Sequence, residues 1–183
     1  FRNVLGAPKY CVAPMVDQSE LPFRLLCFKY GAQLAWTPMI HSQIFLSQPK
    51  QRREYFTTVP EERTRVVAQF CANNPDTLVS AAKLVQDSVA AVDLNLGCPQ
   101  RIAKKGHYGS YLMEDIDLIV HMVEACHKEL TVPITCKIRI FPDLEQTLSY
   151  ARRLQAAGCQ LLTVHGRTRD QKGLLTGSAD WDA

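Results

Sequence analysis

The sequence of 183 residues lacks the features that mark several special classes of protein. Its 9 glycines and 10 prolines are scattered, which excludes collagen-like and low-complexity chains. Its apolar runs fall far short of the roughly 20 residues that span a bilayer. No charged segment followed by an apolar stretch opens the chain, so we expect neither a secretory signal nor a membrane partner. A net charge of only +3 excludes a histone-like tail.

The cysteines also lack the spacing of a metal site or a disulfide framework. There are seven of them, an odd number, and no two form a C-x-x-C pair. Most lie among apolar residues, where cysteine behaves as a small hydrophobic side chain. We therefore expect no bound metal and a reducing compartment, either the cytoplasm alone or the nucleus as well.

Short segments rich in β-forming residues alternate with helical patterns along the chain. Apolar residues at helical spacing predict helices over 19–30, from Asn74 through Val85, over 114–130 and over 143–157. The region 41–64 is polar and irregular. Six strands that alternate with helices predict parallel β-α-β units. The predicted strands are 10–15, 32–40, 64–70, 90–96, 134–140 and 159–165.

Two α/β architectures share this alternation, an open doubly wound sheet and a closed TIM (β/α)8 barrel. The G-x-G-x-x-G fingerprint of dinucleotide-binding sheets is absent after the first strand. Nearly every strand ends instead in a polar or reactive residue, which is typical of the barrel. Because a barrel needs about 250 residues, we expect an incomplete one with about six of its eight βα units. The chain runs from Phe1 to Ala183 without a closing helix, and we expect it to be part of a longer protein.

The segment from Asp93 to Met113 is the most informative one. Cys98 follows a buried strand and lies between Gly97 and Pro99, and no acidic residue occurs between positions 94 and 113. The same stretch contains four basic side chains, Arg101, Lys104, Lys105 and His107. A thiol in a partly exposed, electropositive loop is chemically useful. We therefore favour a functional role for Cys98 over a structural cysteine in a turn, and a structural role for the other six.

Five motifs in order resemble those of the tRNA dihydrouridine synthases, which are flavoenzymes on a TIM barrel. N-L-G-C-P at 95–99, followed by G-x-x-L-M at 109–113, resembles the family signature. The resemblance covers essentially the whole chain and is greatest to the eukaryotic type 1 members, which modify uridines 16 and 17 of the tRNA D-loop. Arg139 is followed by Ile-Phe, where many members have a glycine two residues on. The other matching blocks are A-P-M-V at 13–16, V-A-Q-F at 67–70, K-I-R at 137–139 and H-G-R-T-R at 165–169.

The resemblance implies reduction of uridine to 5,6-dihydrouridine, with hydride passing from reduced FMN to C6 and a proton from Cys98 to C5. Electrons would come from NADPH or NADH, and neither a metal nor an obligate protein partner is implied. An unshifted thiol is mostly protonated at neutral pH, which suits a general acid. A thiolate nucleophile is the alternative, because the basic loop favours that form.

The matching positions also imply a set of binding residues. Lys137 and His165 would place positive charge near the flavin edge that becomes negative on reduction, and Asn95 would offer a donor and an acceptor. Lys104 and Lys105 suit either tRNA phosphate or a solvated loop. The expected FMN-binding residues are Pro14, Met15, Val16, Gln69, Lys137 and His165. The expected substrate-binding residues are Asn95, Arg139, Arg167, Arg101 and Lys104.

Residues 1–183 would then form one FMN-binding catalytic barrel that lacks its last two strands. In the family those strands have glycine-rich turns that bind the flavin phosphate, and a C-terminal helical domain binds tRNA. We expect this segment alone to be unstable and inactive. Two alternatives remain, an FMN barrel for free pyrimidines of the dihydroorotate dehydrogenase kind, and a non-catalytic RNA-binding protein.

Overall fold

Seven parallel strands form one sheet in the computed structural model, which describes residues 2–183. The order β1-β2-β4-β5-β6-β7 follows the chain, as in a β/α barrel, and β3 pairs with the end of β4. All six predicted strands are present, the second of them divided into β2 and β3, and the fold is an incomplete TIM (β/α)8 barrel. The strands are β1 (Cys11–Val12), β2 (Leu34–Trp36), β3 (Ile40–His41), β4 (Val66–Cys71), β5 (Ala91–Leu96), β6 (Ile134–Arg139) and β7 (Leu162–His165).

The four predicted helices are present as α2, α5, α7 and α8. Asn74 caps α5, its side chain accepting a hydrogen bond of 2.9 Å from the backbone N–H of Thr77. Three short helices, α3, α4 and α6, lie where irregular structure was expected, because each is too short to show an apolar period. No helix within residues 2–183 is both long and apolar enough to cross a membrane. The helices are α1 (Arg2–Leu5), α2 (Leu21–Lys29), α3 (Ser42–Ser47), α4 (Arg52–Tyr55), α5 (Pro75–Lys83), α6 (Arg101–Gly106), α7 (Ile116–Glu129) and α8 (Leu144–Ala156).

The two faces of the sheet differ in polarity because side chains alternate along each strand. Even-numbered positions of β4, β5 and β6 are apolar and pack against α5, α7 and α8 in the main core. Odd-numbered positions face the other side, the barrel interior, and become more polar toward the carboxyl ends of the strands. Near the amino ends this interior is apolar and includes Trp36, Val67 and Ala91 with Leu5 of α1. The barrel interior is therefore apolar at the amino ends of the strands and polar at their carboxyl ends. The polar end, where the strands end, is the mouth of the barrel.

Two helices bury a polar side chain and leave some of their leucines partly exposed. In α2 the buried side chains are Arg24 and Phe28, whereas Leu25 is 38% exposed. The Arg24 guanidinium can be buried because it pairs with Glu62 at 2.6 Å. Glu62 is itself fully buried, although the charged composition of the segment 50–65 is typical of a solvated surface.

Helix α8 also buries a polar side chain and leaves leucines partly exposed. Its buried residues are Thr147, Tyr150 and Leu154, whereas Leu144 and Leu148 are 47% and 37% exposed. Thr147 is retained inside because its hydroxyl accepts the backbone N–H of Phe141 at 2.9 Å and bonds to the carbonyl of Asp143. In both helices apolar spacing thus identifies only part of the inner face, Phe28 and Leu154, because polar groups with buried partners also occupy inner positions.

Candidate active site

The expected site residues of four strands meet at the mouth of the barrel. Register pairing places Asn95 of β5 beside Lys137 of β6, and Arg139 of β6 beside His165 of β7. Residues at the same register height on neighbouring strands share a face of the sheet, so these four side chains lie on the interior side. Gln69 of β4 lies one layer deeper, level with Asp93 of β5. The fold thus assembles residues that are up to 96 positions apart in the chain.

A chain of hydrogen bonds joins the layer of Gln69 and Asp93 to the cysteine loop, which is the segment 97–115 between β5 and α7. The Gln69 amide nitrogen donates to a carboxylate oxygen of Asp93 at 2.8 Å. The Asn95 amide nitrogen donates to the Gln69 amide oxygen at 2.9 Å. The Asn95 oxygen then accepts the backbone N–H groups of Gly97 and Cys98 at 3.1 and 2.9 Å. Both lone pairs of that oxygen are used, so Asn95 retains one N–H for a ligand but not the acceptor that was also expected.

The backbone around Cys98 is held at three consecutive carbonyls. Arg139 Nε donates to the carbonyl of Gly97 at 2.7 Å. The backbone N–H and hydroxyl of Ser110 both donate to the carbonyl of Cys98, at 3.1 and 3.0 Å. The hydroxyl of Tyr111 donates to the carbonyl of Pro99 at 3.1 Å. These bonds fix the backbone of Cys98, and its partly exposed side chain packs against the cluster of Cys71, Ala103 and Tyr108.

Gly109 makes the second half of this loop possible. Its φ of +64° is in the left-handed region that favours glycine. A Cβ atom built on it would lie 2.8 Å from the Cys98 carbonyl oxygen and 3.0 Å from the Cys98 Cβ. The glycine of the G-x-x-L-M motif is therefore explained by its close packing against Cys98.

The mouth is electropositive, and its cations influence one another. Burial lowers the pKa of Lys137, with Arg139 adding to the effect and Asp93 opposing it. Burial also lowers the pKa of Arg139, and the charge of Arg167 lowers it further. No carboxylate in the described part of the chain lies within 4.0 Å of Lys137. A partly buried cation without an ion-pair partner favours an electron-rich ligand.

His165 is neutral in this surrounding. Burial and then the charges of Lys137, Arg139 and Arg167 lower its pKa to about 4. Nη1 of Arg167 lies 2.9 Å from Nε2 of His165, and a guanidinium can only donate. Nε2 must therefore accept, which places the proton on Nδ1. His165 can offer a ligand a hydrogen-bond donor, while the positive charge comes from Lys137 and the two arginines.

Two groups of expected site residues lie on other elements, at the end of β1 and on α6. Met15 and Val16 follow β1, and Val16 lines a cavity of about 540 Å³ with the segment 37–40 that follows β2. Pro14 precedes them and is partly buried. Arg101 and Lys104 are exposed on α6 and line a separate cleft of about 700 Å³. The first group lies at the end of β1, and the second lies on the flank of the cysteine loop.

Sequence reasoning missed several residues that organise the site. Asp93 is fully buried and bonds to Gln69 and to Thr135. A carboxylate inside a buried strand, two positions before Asn95, was the signal for it. Tyr111 and Lys172 were also missed, and the Lys172 ammonium donates to the Tyr111 hydroxyl at 2.9 Å. This bond ties the segment after β7 to the cysteine loop, and only the fold could reveal it.

The same segment is anchored to Arg139. Nη1 of this arginine donates to the carbonyls of Thr168 and Gln171, at 2.9 and 3.2 Å. Arg139 therefore joins the cysteine loop to the segment after β7, and only its Nη2 remains for a substrate. No group of three or more His, Cys, Asp and Glu side chains placed to hold a metal occurs in residues 2–183.

Comparison with solved structures supports the fold. The crystal structure of 2,3-dimethylmalate lyase, a PEP mutase/isocitrate lyase superfamily member, matches with a TM-score of 0.57. The match covers 90% of this chain and 61% of that one, at 12% sequence identity. At this identity the likeness concerns the architecture alone.

Comparison with known sequences identifies the family. A Mus musculus protein named tRNA-dihydrouridine(16/17) synthase NAD(P)(+)-like is 54% identical over 182 residues, covering 98% of this chain and 38% of that protein. The Saccharomyces cerevisiae tRNA-dihydrouridine(16/17) synthase is 54% identical over 180 residues, covering 97% and 43%. The chain thus spans about two-fifths of the length of these curated relatives. The Dihydrouridine synthase (Dus) profile matches residues 11–183, and the chain belongs to the dihydrouridine synthase family.

Proposed function

We propose that this chain is the catalytic-barrel part of an enzyme that reduces uridine to 5,6-dihydrouridine in the D-loop of tRNA. The names of the mouse and yeast relatives, at 54% identity, support positions 16 and 17 and electrons from NAD(P)H. The observation that carries the proposal is the place of Cys98 in the fold. The residue lies at the electropositive mouth, and bonds with Asn95 and Ser110 fix its backbone.

The residues of the mouth fit a bound FMN. Lys137 supplies a partly buried positive charge with no carboxylate within 4.0 Å among the described residues. His165 supplies an N–H donor at Nδ1, and Gln69 lies in the layer below. These groups suit the electron-rich pyrimidine edge of a flavin. When bound, the reduced flavin supplies the hydride that adds to C6 of uracil.

The chain itself supplies the proton and the positioning. Addition of hydride at C6 leaves negative charge that is shared between C5 and the C4 carbonyl oxygen. Cys98 donates its thiol proton to C5, which completes the saturated ring, and the thiolate is then reprotonated from solvent. The remaining N–H of Asn95 and the Nη2 group of Arg139 donate to uracil carbonyl oxygens. Arg101 and Lys104 on α6 contact tRNA phosphate beside the mouth.

The variant Cys98→Ala tests this assignment in the full-length protein carrying this sequence. We expect it to keep its bound flavin, seen in the visible absorption spectrum, and to lose at least a hundredfold of dihydrouridine formation on unmodified tRNA. Cys126→Ala is the matched control, because that thiol is buried in the helix-packed core rather than at the mouth. Unchanged activity in Cys98→Ala would remove the general acid.

Substrate preference separates the proposal from its two alternatives. We expect reduction of tRNA but not of free uracil or orotate. Turnover of the free pyrimidine alone would favour a dihydroorotate dehydrogenase-like enzyme. A colourless full-length protein that cannot be loaded with FMN would favour a non-catalytic RNA-binding protein instead.

A further inference from the structure

Asp93 is a fully buried carboxylate that belongs to none of the roles assigned above. Its side chain is 0% exposed and bonds to the hydroxyl of Thr135 at 2.5 Å and to the amide nitrogen of Gln69 at 2.8 Å. We propose that Asp93 is a positioning residue that fixes the Gln69 and Asn95 amides and, through them, the Cys98 loop. The expected effect of Asp93 on kcat rests on the proposed function, whereas its effect on the two amides does not.

The polarity of the hydrogen-bond chain carries this inference. At one end, the backbone N–H groups of Gly97 and Cys98 can only donate, so the Asn95 oxygen must face them. The Asn95 nitrogen is then left to donate to the Gln69 oxygen. The Gln69 nitrogen must in turn find an acceptor on its far side, and that acceptor is Asp93. Turning either amide over would set donor against donor at one end and acceptor against acceptor at the other.

Asp93 is therefore the acceptor that terminates the chain. Without it the Gln69 nitrogen would face a buried site without a partner, which is costly enough to move the side chain. Asn95 would then lose the acceptor for its nitrogen, and its hydrogen bonds from the backbone N–H groups of Gly97 and Cys98 would weaken. Burial raises the pKa of Asp93, while the bonds from Thr135 and Gln69 and the charge of Lys137 oppose that rise.

The fixed amides also decide what Asn95 can recognise. Its oxygen is occupied by two backbone donors, and one of its two N–H bonds is used by Gln69. What remains is a single N–H, which suits a carbonyl oxygen such as O4 of uracil and opposes an amino group such as N4 of cytosine. Asp93 thus acts on the substrate only through Asn95 and does not touch it.

The test compares Asp93→Ala with Thr135→Ala in the full-length protein. The two positions are register partners on neighbouring strands, so the two alanine substitutions create neighbouring cavities. Only the first variant removes the acceptor of Gln69. The first readout needs no activity: hydrogen exchange of the Gln69 and Asn95 side-chain amides, followed by NMR with 15N-labelled glutamine and asparagine. We expect exchange at least tenfold faster in Asp93→Ala, and within twofold of wild type in Thr135→Ala.

The second readout is kinetic and includes a conservative variant. Asp93→Asn can still accept from Gln69 through its oxygen. Its nitrogen can donate to Thr135, whose hydroxyl then turns to the Val92 carbonyl at 3.4 Å. We expect Asp93→Ala to lower kcat at least tenfold, and Asp93→Asn to restore most of it.

The outcomes separate the positioning role from a general loss of stability and from a failure of the proposed function. Equal amide exchange in Asp93→Ala and Thr135→Ala would overturn the positioning role, as would a loss of kcat in Asp93→Asn as large as that in Asp93→Ala. If no variant or wild type makes dihydrouridine, the proposed function fails, and the exchange result still decides the role of Asp93.

Discussion

At the residue scale, three cationic side chains at the mouth surround one neutral histidine. Lys137, Arg139 and Arg167 are cationic, and their charges, together with burial, hold the pKa of His165 at about 4. A histidine with that pKa contributes geometry rather than charge at neutral pH. This separates the roles of two residues that the sequence had grouped together, because Lys137 supplies the charge and His165 the hydrogen-bond donor.

The ionisation of His165 can be measured directly. We expect an NMR titration to give a pKa of about 4. Because this is below the unfolded value of 6.5, the unfolded chain binds a proton that the folded chain does not. The free energy of unfolding should therefore fall as the pH drops from about 6.5 toward 4. Arg167→Gln removes one of the opposing charges and should raise the pKa of His165. A pKa near 6.5 in the unsubstituted protein would show that burial and the neighbouring cations do not lower the pKa of His165.

At the element scale, the cysteine loop is held from within and from the segment after β7. Arg139 contacts both pieces, and Tyr111 bonds to Pro99 and Lys172. Arg169 adds a contact, its guanidinium carbon lying 5.4 Å from the centre of the Tyr111 ring. The loop and the segment thus form one unit, and a change in packing at Gly109 reaches the thiol directly.

Gly109→Ala should disturb this unit more than an alanine at another left-handed glycine. Gly109 and Gly173 have φ values of +64° and +56°, so alanine at either position costs about 1–2 kcal/mol of conformational strain. Only at Gly109 would the added Cβ meet other atoms, whereas at Gly173 nothing lies within 4 Å. We expect Gly109→Ala to lose more stability in urea and most of its dihydrouridine formation. Gly173→Ala should show the strain alone, and equal losses in the two variants would argue against close packing under Cys98.

At the scale of the whole molecule, a buried ion pair joins two distant parts of the chain. Arg24 of α2 bonds to both carboxylate oxygens of Glu62, at 3.0 and 2.6 Å, and also to the carbonyls of Ser19 and Thr57. It therefore fastens the segment before β4 to the helix after β1. Each of the three guanidinium nitrogens of Arg24 donates a hydrogen bond, so none of them is buried without a partner.

Breaking this pair should be far more costly than breaking an exposed one. Glu62→Ala leaves the Arg24 charge buried without its partner, and we expect a loss of about 3–5 kcal/mol. Lys83 and Glu129 form a comparable contact at 2.9 Å, but both side chains are 45% exposed. Glu129→Ala should therefore cost less than about 1 kcal/mol. Urea unfolding of both variants measures the difference, and equal losses would show that the Arg24–Glu62 pair is not a structural anchor.

The sequence by itself determined the parallel β-α-β plan and the place of Cys98. Both follow from local features, since apolar periods mark the strands and long helices, and Cys98 follows a strand inside a basic loop. The site was predictable to the extent that chemistry sits at strand ends, as for Gln69, Asn95 and Lys137. The burial of Arg24 in α2 was not predictable, because its partner Glu62 is 38 positions away in the chain.

Only the tertiary structure decided how these residues act together. Asp93, Gln69, Asn95 and Cys98 are linked by bonds between neighbouring strands whose register no local pattern fixes. The neutral state of His165 depends on cations contributed by β6 and by the segment after β7. Hydrogen-bond direction and charge depend on distances between atoms, and those distances arise only when the sheet places separate strands side by side.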